Sequence, residues 1–80
     1  MIHSTRHHDG QLADALIDVY VEWREECRAV RLAYQGLRTA SEDDRSATFA
    51  AFRAALDREE RAADVYAALV QQASATKQPA

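Results

Sequence analysis

Apolar residues recur along this chain at alternating steps of three and four. From Ala13 they run through Leu16, Tyr20, Trp23, Cys27, Val30, Tyr34 and Leu37. Positions at that spacing fall on one stripe of an α-helix and mark a surface that packs against another helix. The pattern predicts a first helix over residues 11–38, with Asp9 or Gly10 at its N-cap. It resumes at Phe49, Phe52, Leu56, Glu59, Ala63, Tyr66, Val70 and Ala73, which predicts a second helix over residues 42–73. Glu59 is the one charged residue on either stripe.

The connection is expected at about residues 39–41. Ser41 is placed to cap the second helix, Asp44 stands at the capping-box position, and the acids of "SEDD" suit the positive end of the helix dipole. Gly36 has two readings: a left-handed cap that ends the first helix early, or a residue inside it. Residues 1–10 are polar and non-periodic and read as a flexible arm, and residues 74–80 as a frayed tail.

So short a connection makes the helices antiparallel neighbours. Facing residues then have numbers that sum to roughly 80–82 for a turn centred near residue 40. In that register Trp23 meets the Leu56–Glu59 turn, Cys27 lies near Phe52 or Arg53, and Leu16 faces Tyr66. The expected fold is therefore all-α, an antiparallel two-helix hairpin.

Composition agrees. Of the 80 residues 48% are hydrophobic and 29% charged, with two glycines and one proline, which suits a single helical domain. A lone hairpin, however, leaves Leu12, Ile17, Val19, Val21, Leu32, Val65 and Leu69 beside or outside the seam. One helix–helix seam rarely offsets the cost of ordering so short a chain, so pairing of two hairpins into a four-helix bundle is expected. Charge is compatible with a homodimer. Helix one is acidic early (Asp14, Asp18, Glu22) and basic later (Arg24, Arg28, Arg31, Arg38), and two copies packed antiparallel would set acid against base.

Net charge of -3 gives no basic face for nucleic acid. No apolar run approaches the roughly 20 residues of a membrane span, and the first ten residues lack the apolar core of a signal peptide. One cysteine forms no internal disulfide, so a cytoplasmic location is the expectation.

Little in the sequence points to chemistry. Tyr20, Trp23 and Tyr34 could wall a flat ligand, but aromatics at this spacing read as core. Cys27 has arginines near it that would favour a thiolate, yet its seam position reads as a small core hydrophobe. Glu59 needs a partner if it is buried, and the indole N–H of Trp23 lies in register with it. It reads as a seam-edge glutamate bonded to Trp or Tyr, or as a latch that fixes register. A di-iron bundle would need histidines on the helices, and His3, His7 and His8 all lie in the arm. With the terminal amine and two amides, His3 completes four nitrogens suited to Cu(II) or Ni(II). There is no phosphate loop, nucleophile elbow or zinc spacing, and no cofactor is implied.

A hairpin of this length resembles in shape the small secreted helical hairpins whose connecting turn carries Trp-x-Gly. Here the turn region reads "YQGLRTASED" and the tryptophan is mid-helix Trp23, so the resemblance implies the fold class and not that family's secretion or partner. The expected function is a non-enzymatic interaction or scaffold module that pairs with itself or with another helical protein. The alternative is a ligand or metal sensor that uses the bundle core or the histidine arm.

Overall fold

The computed structural model describes the backbone of residues 2–77 and the side-chain surroundings of residues 10–75. It is an α-helical hairpin. Helix α1 spans Ile2–Thr39 and helix α2 spans Arg45–Lys77, and the two pack against each other along their length. The molecule measures 63 × 23 × 12 Å with a radius of gyration of 18.3 Å, whereas a compact chain of this length has about 12 Å.

Both helices outrun their expected bounds. The stretch expected to be an arm is the first part of α1, because once a helix is nucleated each further residue adds a hydrogen bond at small cost and no proline interrupts. Gly10 and Gly36 are both helix-interior, with no positive φ. Gly36 therefore ends nothing. His3, His7 and His8 lie on the α1 backbone, but their side chains fall outside the described residues. So does Met1, whose amine the expected copper or nickel site requires. The tail begins later than expected, since α2 continues to Lys77.

The connection is residues 40–44, not 39–41. Thr39 Oγ1 donates to the Gln35 carbonyl at 3.1 Å and satisfies an acceptor at the end of α1. The Asp44 N–H donates to the Ser41 carbonyl at 3.1 Å, and Ser41 Oγ to Asp44 Oδ2 at 3.1 Å. "SEDD" is thus a tight turn before α2 rather than its first turn, and the Asp44 carbonyl accepts the first bond of the helix from the Thr48 N–H at 3.0 Å. A turn centred on residue 42 moves the register. Trp23 with Glu59, Glu26 with Arg58 and Tyr34 with Phe52 have numbers that sum to 82–86.

The seam itself is rotated from the expected one. Leu16, Trp23, Val30 and Leu37 of α1 and Phe52, Glu59, Tyr66 and Ala73 of α2 are half-buried, where the spacing puts them. Most positions between them shift back by one residue, while Cys27 and Ala63 stay half-buried. Leu12, Val19 and Ala33 are half-buried while Ala13, Tyr20 and Tyr34 are exposed. On α2, Thr48, Ala55 and Leu69 turn inward while Phe49, Leu56 and Val70 are exposed. Ala55, at 1% exposure, is the one fully buried residue among those described.

The reason is steric. Methyl side chains at Ala33, Ala55 and Ala62 let the two backbones approach closely, and room remains for the large rings of Trp23 and Tyr66. Lining the seam with Tyr20, Tyr34, Phe49 and Leu56 would force the axes apart, because interaxial distance follows the side chains at the contact.

Candidate interaction site

Two features stand out on this scaffold: a ring cluster with a carboxylate inside the hairpin, and an apolar stripe along one of its edges.

The cluster forms where α1 and α2 cross at mid-length. Trp23 stacks on Tyr66, with centroids 5.7 Å apart and planes 8° from parallel. Tyr20 tilts against both rings, 6.1 Å from Trp23 and 5.6 Å from Tyr66. Trp23 Nε1 donates to Glu59 Oε2 at 2.8 Å. Glu59 and Tyr66 lie seven residues apart, two turns along one face of α2, so a single indole can stack on one and bond the other. A hydrogen bond to a charged group contributes about 1.5–3 kcal/mol. It also ties α1 to α2 at one height, so it resists sliding of the helices. Nearby Arg58 Nε lies 3.3 Å from Glu26 Oε1, the only ion pair among the described residues. Further along, Tyr34 and Phe52 meet at 5.7 Å.

The stripe runs along one edge of the rotated seam. On α1 it holds exposed Tyr20 and Tyr34 with half-buried Cys27 between them, at steps of seven, and on α2 exposed Phe49, Leu56 and Val70, with half-buried Ala63 completing the sevens. Tyr34 and Phe49 are each 48% exposed. Tyr20 and Val70 line one shallow groove with Leu16, Ile17 and Tyr66, which puts the two stripes on the same side of the hairpin. In an antiparallel pair that is where residues just outside the seam on both helices come together. Cys27 is half-buried at the centre of the α1 stripe.

Arginines border the stripe. The Arg24 guanidinium lies 6.0 Å from the Tyr20 ring centroid and that of Arg38 5.9 Å from Tyr34, each one turn along α1 from its tyrosine. Arg24, Arg28 and Arg31 line a second groove on this flank with Tyr20, Val21 and Glu25.

Sequence reasoning put Trp23 opposite Glu59, and the two are bonded. It also put Leu16 opposite Tyr66, and the two share a groove. Cys27, expected beside Phe52 or Arg53, sits instead at the height of residues 57–58, since its neighbour Glu26 meets Arg58. Tyr20, Tyr34, Phe49, Leu56 and Val70 were expected on the intrachain seam and lie at its open edge. Val19, read as lying beside the seam, is half-buried within it, and the small residues at the seam's edges, Ala33, Ala55 and Ala62, turn inward. Among the described residues no three His, Cys, Asp or Glu side chains converge as metal ligands, and no helix is long and apolar enough to cross a membrane. Searches of protein-family models, of curated proteins and of solved structures find no match to this chain.

Proposed function

We propose that this chain is a non-enzymatic helical interaction module that works as a homodimer, two hairpins closing into a four-helix bundle. The observation that carries this reading is the open stripe: Tyr20, Tyr34, Phe49, Leu56 and Val70, all part-exposed on one face of the two helices and joined at sevens by half-buried Cys27 and Ala63. Surface area supports it. The chain exposes 6514 Å², about a third more than the roughly 4900 Å² expected of a compact monomer of 9.0 kDa. A stable interface removes about 800 Å² per partner, well within that excess. The single cysteine fits a reducing, cytoplasmic setting, and a different helical protein that presents a matching stripe would compete for the same face.

Light scattering at micromolar concentration tests the reading. About twice the 9.0 kDa chain mass is expected, and a well-folded monomer overturns it.

A further inference from the structure

We infer that the second copy docks with its α2 over α1 of the first, and its α1 over α2, about a two-fold axis parallel to the helices. This rests on the homodimer reading and adds which helix meets which, and at what height. Such an axis leaves heights unchanged, so each residue of α1 meets the residue of the second copy's α2 that already stands level with it. The chain's own pairs set that relation at sums of 82–89, the upper end from the broad Trp23 ring on Tyr66. The stripes then match along their length, since Tyr34 meets Phe49, Cys27 meets Leu56, Tyr20 meets Ala63 and Ala13 meets Val70, each pair with numbers summing to 83. Size matches as well: Tyr20 falls on the methyl of Ala63, and Val70 on that of Ala13.

Charge selects this arrangement. Beside the α1 stripe stand Arg24, Arg28 and Arg31, all exposed, and on the equivalent flank of α2 stand Asp57, Glu60 and Asp64, also exposed. At the same heights Arg24 meets Glu60, Arg28 meets Asp57, and Arg31 lies one turn from Asp57. The symmetry repeats each pair. Arg53 is the one like charge on that flank, level with Arg31. The rival arrangement lays α1 on α1. With Tyr20 over Tyr34 it sets Arg24 against Arg31 twice, in a groove whose lining holds three arginines and the single acid Glu25, and like charges in an interface disfavour association.

Exchange of charge tests the geometry. One variant carries Arg24→Glu, Arg28→Glu and Arg31→Glu, and the other Asp57→Arg, Glu60→Arg and Asp64→Arg. Each alone faces like charge on like, so self-association should weaken at least about tenfold. Light scattering should then read single chains where the native protein is dimeric. Mixed in equal amounts, the two should restore the dimer mass, because the pairs at 24 with 60 and 28 with 57 are again opposite in sign in the heterodimer. Circular dichroism confirms that each variant is helical. If a triple variant does not fold, the single exchange Arg28→Glu with Asp57→Arg is read in the same way. Reversal of Arg58 and Arg61, which lie off this face, should leave the native dimer intact. Variants that dimerise as the native chain does, or folded variants that stay apart when mixed, overturn the geometry and leave the homodimer standing. A monomeric native protein overturns both.

Discussion

The hairpin has two unlike long edges. On one, Ala15 and Ala29 are half-buried small residues of α1, and Glu26 reaches Arg58 across the gap. On the other, Tyr20, Tyr34, Phe49, Leu56 and Val70 stay part-exposed on both helices. The first edge holds small side chains and one ion pair within the chain, with Val65 exposed two turns past Arg58. The second spends large rings and branched chains where a single hairpin gains little from them. Apolar residues on an exposed edge are ordinary when scattered, but residues repeated at sevens on two adjoining helices form a continuous surface, the kind that marks an interface.

The largest effect is expected between the edges, at the seam. Trp23→Ala removes the stack on Tyr66 and the bond to Glu59 together and should cost about 3 kcal/mol, measured by urea unfolding at fixed protein concentration. A loss under about 1 kcal/mol would mean that the ring cluster is not what joins the helices.

Ala55→Leu comes next. It forces three extra carbons into the fully buried position of the seam and should destabilise by about 1–3 kcal/mol, whereas Ala54→Leu, on the exposed side of the same turn, should be near neutral. Equal effects at the two positions would return the seam to the unrotated register.

Glu59 separates hydrogen bonding from charge. Glu59→Gln keeps an acceptor for the Trp23 indole and should change stability by less than about 1 kcal/mol, while Glu59→Leu leaves that N–H without its partner and should cost about 1–2 kcal/mol. Indole fluorescence reports whether the ring has moved. A Leu variant more stable than the native chain would show that burying the carboxylate costs more than its bond returns.

The smallest effect belongs to the closed edge. Arg58→Ala breaks an exposed ion pair and should shift stability by at most about 0.5 kcal/mol, less at high salt. Leu56→Ala on the open edge should likewise barely alter the unfolding of an isolated hairpin, yet it should weaken self-association measurably by light scattering. If Leu56→Ala changes neither, the open edge is not an interface.

Much of this was legible in one dimension. The spacing of Leu16, Trp23, Val30 and Leu37 determined that α1 packs along that stripe, and Phe52, Glu59 and Tyr66 did the same for α2. The short connection determined that the helices run antiparallel, because a handful of residues cannot carry the chain back to the other end. Together these brought Trp23 to Glu59 within a turn of its observed place. Helix ends were less legible, since "MIHSTRHHDG" has neither apolar period nor a breaker strong enough to stop a helix that tertiary contacts have already nucleated further along.

What only the tertiary structure decided was which neighbours of that common stripe turn inward. Each helix carries two interleaved sets at the same spacing, one bulky with most of the rings (Tyr20, Tyr34, Phe49, with Leu56) and one slim at its middle (Val19, Ala33, Ala55, Ala62) with Leu12 and Leu69 towards the open end of the hairpin. A periodicity argument favours the bulky set because it weighs hydrophobicity and is blind to the distance between axes. Packing chose the slim set, because methyl groups at the crossing let the backbones close around the stacked rings of Trp23 and Tyr66. The bulky set was thereby left on an open face, and that consequence exists only once two helices occupy the same space.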